Sequence, residues 1–184
     1  SYKFMILEIA KALNCLNKGG ILIYPSDTIW AIGCDATNLK AINKIFKIKN
    51  RNRSNPFICL MDDFKMSDRY VKTTNKIKSY LKKNNYPITV IYNDVKNLET
   101  FPKSIAVRIP KDEFCIKLIK KFNKPIISTS VNISGEYFPL FFNDIKKEIL
   151  DQVDYKVNLR LNEKLDKPSA IIKVEGGTII TLRP

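Results

Sequence analysis

Residues 24–57, YPSDTIWAIGCDATNLKAINKIFKIKNRNRSNPF, set a buried-looking strand against a turn of hydroxyls, followed by a helix that runs out into Lys and Arg. A chain that needed only a core would have no use for Ser26, Asp27 and Thr28 between Pro25 and Ile29, with Lys49, Arg51 and Arg53 one helix later. Upstream, ILIYP is short, apolar and β-branched, and IWAIGCD resumes extended structure after the polar turn. Downstream, residues 39–48 read as a helix with Ile42, Ile45 and Phe46 on its inner face.

The same reading extends outward. Residues 4–17 carry Leu7, Ala10, Leu13 and Leu16 near helical spacing and stop at Gly19 and Gly20. PFICLM, ITVIY and SIAVRIP read as strands, residues 73–83 as a Lys-rich surface helix, and KDEFCIKLIKKF and NDIKKEIL as further helices. Between the last two, KPIISTSVNISGE is an apolar strand running into hydroxyls and amides, and VDYKV, AIIKV and TIITLRP close the chain. Strands and helices alternate with no linker, repeat or low-complexity tract. The expectation is one α/β domain over residues 1–184, with a twisted mixed sheet and flanking helices.

Composition narrows the chemistry. The 184 residues suffice to bury a core without disulfides or a structural metal, and the apolar runs are too short to cross a bilayer. Glu8 and Lys11 interrupt the first helix, which therefore reads as amphipathic and not as a signal peptide, and the opening Ser1 reads as a chain trimmed of its initiator Met. Cys15, Cys34, Cys59 and Cys115 stand singly among apolar residues, as reduced thiols of a cytoplasmic protein would. There is no histidine, which removes Ser-His-Asp triads, Cys-His nucleophiles and imidazole zinc sites. The net charge of +14 suits a polyanionic partner, whether nucleotide, RNA or membrane surface, although A/T-rich codons for Lys, Ile and Asn supply such charge without any ligand.

Two clusters carry the functional reading, each with a plain alternative. Lys49, Arg51 and Arg53 at a helix exit complement the helix dipole, or they clamp phosphates, Arg as a planar fork and Lys as a mobile point charge. In ISTSVNISG, Ser128, Ser130 and Asn132 recur at period two and share one strand face, as donors for a ligand or as turn formers. Neither GxGxxG nor GxxxxGK[ST] occurs, so a nucleotide must be held another way.

Taken in order, GGILIYPSDTIWAIGCDA, IFKIKNRNRSNPF, YPITVIY, IAVRIP, PIISTSVNISG, PSAIIKV and TLRP resemble the successive motifs of the YrdC-like threonylcarbamoyl-AMP synthase family, over nearly the whole chain. The resemblance implies a domain built around a basic concave cavity. It also implies an enzyme, a nucleotidyltransferase that joins L-threonine, bicarbonate and ATP into threonylcarbamoyl-AMP and pyrophosphate for tRNA modification. By the same resemblance Thr28, Trp30, Arg108, Ser128 and Ser169 hold threonine, and Arg51, Asn55, Ser104, Ser130 and Arg183 hold ATP, with Lys49 and Asn132 completing the two central motifs. Lys49 and Arg51 are the expected catalytic cations at a solvent-reachable wall, Mg2+ comes with ATP, and no dedicated metal site is expected. A transferase complex takes the adenylate, and tRNA is a possible direct partner. The sequence departs from the family pattern at Ser26, at Trp30-Ala31-Ile32, at the shortened Tyr86-Pro87-Ile88, at Ser169-Ala170 and at Leu60, where many relatives carry His. Ending at Pro184, the chain matches the short form of the family. Two other readings stay open: a non-catalytic RNA-binding module of the same fold, and a carbamoyl transfer of another kind.

Overall fold

In the computed structural model, which describes residues 1–184, nine strands join in one mixed sheet in the order β7-β1-β2-β6-β3-β5-β4-β8-β9. In chain order these are β1 (Leu22–Tyr24), β2 (Ala31–Gly33), β3 (Ile58–Leu60), β4 (Ile88–Tyr92), β5 (Ile105–Arg108), β6 (Ile126–Ser130), β7 (Tyr155–Lys156), β8 (Ala170–Glu175) and β9 (Thr178–Arg183). Pairing is parallel for β1 with β7, β3 with β5 and β4 with β8, and antiparallel elsewhere. The helices are α1 (Tyr2–Asn17), α2 (Leu39–Lys49), α3 (Phe64–Ser67), α4 (Asn75–Lys83), α5 (Glu113–Phe122) and α6 (Lys147–Leu150). One main core of 41 buried residues runs through the molecule, with a satellite of five beneath α4, so the fold is a single α/β domain.

Local chemistry sets the ends of α2. The Asn38 side chain accepts from Ala41 N at 3.0 Å, and the helix stops at Asn50, whose backbone is left-handed at φ 50°, a conformation Asn tolerates. That stop turns the chain so that Arg51 leaves the helix toward the concave face of the sheet.

The structure revises three element readings. The buried side of α1 is Ile9, Ala12, Cys15 and Leu16 together with Glu8, whereas Leu7 and Ala10 face outward. Glu8, which looked like a polar interruption, accepts from Tyr155 Oη and Asn158 N, both at 2.6 Å, and ties α1 to the β7 edge. NDIKKEIL is not one helix: Ile145 is extended and buried, splitting it into a 3-10 turn (Phe142–Asp144) and the single-turn α6. Finally, α3, capped by Asp63 accepting from Met66 N at 2.8 Å, is too short to show a helical period.

Candidate functional site

Register across the sheet builds the site. One cross-strand row runs Ser128–Ile58–Ala106–Ile91 through β6, β3, β5 and β4. The next runs Leu60–Arg108–Thr89–Ile171–Arg183 through β3, β5, β4, β8 and β9. Paired residues share a face, so Arg108 and Arg183 stand in one row, three strands apart, above an apolar floor. A cavity of about 470 Å³ opens on this face. Three arginines line it (Arg51, Arg108 and Arg183), with hydroxyls of Thr28, Ser128, Thr129, Ser130 and Ser169, and no carboxylate does.

Arg108 is only 2% exposed. Its Nη2 donates to Asp27 Oδ1 and to Thr28 Oγ1, each at 3.2 Å, while its buried Nε has no partner. A desolvated donor left open beside a cavity calls for an acceptor from a ligand, because leaving it unpaired costs about 1–3 kcal/mol. The turn before it is tightly set: Ser26 Oγ accepts from Thr28 N and Ile29 N, donates to Ile29 O at 2.8 Å, and lies 3.0 Å from Thr28 Oγ1. Opposite, Ser169 Oγ lies 2.7 Å from Thr89 Oγ1, and Arg183 donates through Nε to Ser169 O at 2.9 Å.

At the other end, Arg51 Nε donates to Asn55 O at 2.9 Å and Nη2 to Pro56 O at 3.2 Å, while the guanidinium lies 4.9 Å from the centroid of the Phe57 ring. Burial holds the Arg51 guanidinium below the usual arginine range, and burial together with Arg108 does the same to Arg183. Two partly desolvated cations about a concave site favour an anion with more than one charge.

The chain is similar to known proteins. The Sua5_yciO_yrdC family model, described as telomere recombination, matches residues 14–184. A Methanocaldococcus jannaschii protein, provisionally named threonylcarbamoyl-AMP synthase, is 33% identical over 183 residues, covering 96% of this chain and 86% of its own length. The chain belongs to the Sua5/YciO/YrdC family. A Pseudoalteromonas translucida relative named threonylcarbamoyl-AMP synthase is 27% identical over 179 residues, 93% of this chain and 95% of that protein. The crystal structure of P. abyssi Sua5 complexed with L-threonine superposes with a TM-score of 0.80 at 23% identity, over 96% of this chain and 53% of that one. The chain thus spans about half of that Sua5 chain, and at this identity the likeness speaks for the fold.

Of the residues singled out from the Sua5/YciO/YrdC resemblance, Thr28, Arg51, Asn55, Arg108, Ser128, Ser130, Ser169 and Arg183 line the one cavity. Four do not. Lys49, expected at a solvent-reachable wall, is 1% exposed, and its Nζ donates to Ser130 O at 2.5 Å, Asn132 Oδ1 at 2.8 Å and Asn132 O at 2.9 Å. The last residue of a helix whose inner face is packed has nowhere else to send its stem, so Lys49 braces the turn after β6 from behind. Burial, reinforced by Arg51, pulls its ammonium down to about 7. Asn132 is the other half of that brace, accepting from Ser130 Oγ at 2.5 Å and donating to Glu136 O at 2.6 Å; β6 ends at Ser130, so the period-two extrapolation stops short of it.

Trp30 was expected to point with Thr28 toward a ligand. Strand β2 begins only at Ala31, so residues 28–30 are turn and strand alternation does not apply. Trp30 is 0% exposed, stacks edge-on to Phe142 with centroids 5.7 Å apart, and donates through Nε1 to Glu163 O at 3.4 Å. Ser104 faces a second hollow of about 360 Å³, beside Arg53 and Lys103, on the far side of the loop that carries Arg51 and Asn55.

Sequence reasoning missed the floor, Ile58, Ala106, Ile91 and Ile171, and also Thr89; Asp27 stood out in its turn but was given no role at the site. Part of the signal was present, since Thr89 and Ile91 are two apart in ITVIY. No group of three or more Cys, Asp or Glu side chains is placed to hold a metal ion.

Proposed function

We propose that this chain is a threonylcarbamoyl-AMP synthase, a nucleotidyltransferase that converts L-threonine, bicarbonate and ATP into L-threonylcarbamoyladenylate and pyrophosphate. The observation that carries the reading is Arg108, a buried guanidinium with an open Nε at the hydroxyl-rich end of a cavity that two further, partly desolvated arginines also line. The names of the relatives point the same way.

In this reading Arg108 receives the threonine carboxylate, and Thr28, Ser128 and Ser169 surround the amino acid. Arg51 and Arg183 face the triphosphate, and Asn55 and Ser130 complete its polar wall. Mg2+ arrives with ATP as part of the substrate. The free threonine amine attacks the carbon of CO2 and loses a proton to give the carbamate; from bicarbonate the same carbamate forms with the amine proton and the bicarbonate hydroxyl leaving together as water. A carbamate oxygen then attacks the α-phosphorus, and pyrophosphate leaves with the electron pair of the broken P–O bond. No side chain need act as a nucleophile: positioning and a fixed positive field stabilise the charge that develops. The apolar floor keeps water from the carbamate and the mixed anhydride.

The adenylate would serve a downstream threonylcarbamoyl transferase that modifies tRNA, and a cytoplasmic site of action fits that role. No helix is long and apolar enough to cross a membrane. Incubation with labelled bicarbonate, L-threonine and Mg-ATP should yield a labelled adenylate and pyrophosphate only when threonine is present. Absence of threonine-dependent pyrophosphate overturns the reading and leaves a binding module.

A further inference from the structure

Outside the cavity, Arg160, which none of the sequence motifs singles out, donates four hydrogen bonds. It lies in the segment between β7 and β8 and adopts a left-handed backbone, φ 57°, that a non-glycine residue holds only when its surroundings insist. Its guanidinium is shared among three parts of the chain. Nη1 donates to Asp112 Oδ1, Nη2 to Ser26 O at 3.0 Å, and Nε and Nη2 to the two carboxylate oxygens of Glu163 at 2.7 and 3.2 Å. Asp112 is itself fixed, as the N-cap of α5 accepting from Cys115 N at 2.9 Å.

These contacts converge on the amino-acid end of the cavity. Ser26 O belongs to the turn that presents Asp27 and Thr28 to Arg108. Glu163 holds the segment whose Glu163 O accepts from Trp30 and whose Lys167 N donates to Thr28 O at 3.3 Å, just before Pro168 and Ser169 enter the cavity wall. Arg160 therefore pins both facing walls to each other from outside, and no hydrogen bond of its guanidinium reaches Arg51, Asn55 or Ser130.

We propose that Arg160 is a positioning residue for the amino-acid subsite: it sets the spacing between the Ser26–Thr28 turn and the Pro168–Ser169 wall without touching substrate. The assignment of that subsite to threonine rests on the function proposed above. Loosening the two walls weakens threonine binding and leaves the nucleotide end unchanged. A Lys keeps the charge but cannot offer a planar fork to Ser26 O, Asp112 and Glu163 at once.

The test compares wild type with Arg160→Lys, Arg160→Gln and Glu163→Gln in pyrophosphate release, with hydrogen exchange on the same proteins. The expected result is a roughly tenfold or greater rise in KM for threonine in Arg160→Gln, a smaller rise in Arg160→Lys and Glu163→Gln, and KM for ATP within about twofold throughout. Exchange should quicken at the Thr28, Ile29 and Lys167 amides and not at Ser134, whose amide donates to Lys49 O. Equal rises in both KM values, or an unchanged KM for threonine, overturn the proposal. If wild type forms no pyrophosphate, the function reading fails instead, and exchange alone decides: local quickening at those three amides supports the positioning role, and uniform or absent change refutes it. Glu163→Gln keeps the test usable if the Arg160 variants do not fold.

Discussion

Asp27 Oδ1 lies 3.2 Å from Arg108 Nη2 with the two side chains 9% and 2% exposed, so the guanidinium proposed to receive a carboxylate already has one as a neighbour. The pair is asymmetric: Asp27 uses its other oxygen to accept from Lys111 N at 3.0 Å, while Arg108 keeps Nε open. Asp27 thus holds the fork by one edge and leaves the rest to the cavity. Breaking a buried pair leaves a charge uncompensated, so Asp27→Ala should lower stability by about 3 kcal/mol in urea unfolding. The exposed Lys117–Glu113 pair at 3.8 Å is the control, where Glu113→Ala should cost less than about 1 kcal/mol. Added threonine should recover part of the Asp27→Ala loss, since its carboxylate replaces the missing charge.

Arg51 is the cation whose removal should separate chemistry from folding. It borders the cavity, two of its hydrogen bonds, to Asn55 O and Pro56 O, fall in its own loop, and the third, to Thr129 Oγ1 of β6, is long at 3.4 Å. Arg51→Ala should lower kcat/KM for ATP by about 2–3 kcal/mol, on the order of 30- to 150-fold, with the far-ultraviolet circular dichroism spectrum unchanged. Near-normal turnover would remove the phosphate assignment.

What could be read from the sequence was whatever depends on local periodicity. Every strand was anticipated, and Ser128 and Ser130 of β6 line the cavity as alternation along a strand placed them, although Thr129 between them also lines it, accepting from Arg51 Nη1 at 3.4 Å. The misreadings cluster where a period was carried past the end of an element, at Trp30 before β2 and Asn132 after β6. Lys49 shows a different limit: a charged residue at a helix end looks solvated in sequence, and only the fold, which brings the end of β6 and the turn after it to the last residue of α2, reveals three oxygens waiting there. Spacing within ITVIY puts Thr89 and Ile91 on one face, but assembling the floor takes knowing which strands neighbour one another, β3 beside β5 and β5 beside β4, and that is long-range information.

Trp30 gives an optical check on that correction. Fully buried against Phe142 and outside the cavity lining, its emission should not respond to L-threonine or Mg-ATP at saturating concentrations. Trp30→Ala should cost about 3–5 kcal/mol in stability through the cavity it leaves. A saturable emission change would return the residue to the site.

Glycine matters three residues further on. A Cβ at Gly33 would lie 1.9 Å from Ile127 O, a backbone atom that cannot swing aside, so Gly33→Ala should cost about 3 kcal/mol or prevent folding. Ala31, one of the positions where the sequence departs from the family pattern, sits in β2 without a positive φ. Its methyl group meets no conformational penalty there, and Ala31→Gly should destabilise by about 1 kcal/mol, read from urea unfolding, without lowering KM for threonine.

Lys49 titrates where assays are usually run, and the sign of its effect can be worked out. Burial and Arg51 hold its ammonium at about 7 in the fold, against an ordinary value of 10.5. Between those values the unfolded chain binds more protons than the folded one, so this residue's contribution to stability rises as pH increases from about 7 and is flat below it. The slope is bounded by about 1.4 kcal/mol per pH unit. The ammonium has three donors for Ser130 O, Asn132 O and Asn132 Oδ1, whereas the neutral amine has two, so deprotonation releases one acceptor of the turn that carries Ser130 into the cavity. Urea unfolding of wild type and Lys49→Met at intervals from pH 6 to about 8.5 isolates the effect, because buried thiols and phenols, whose raised values act in the opposite direction, titrate above that range and are common to both proteins. The difference, wild type minus variant, should be level to about pH 7 and climb beyond it. Parallel curves would mean that the three oxygens keep the ammonium charged, and the brace behind β6 would then hold at every working pH.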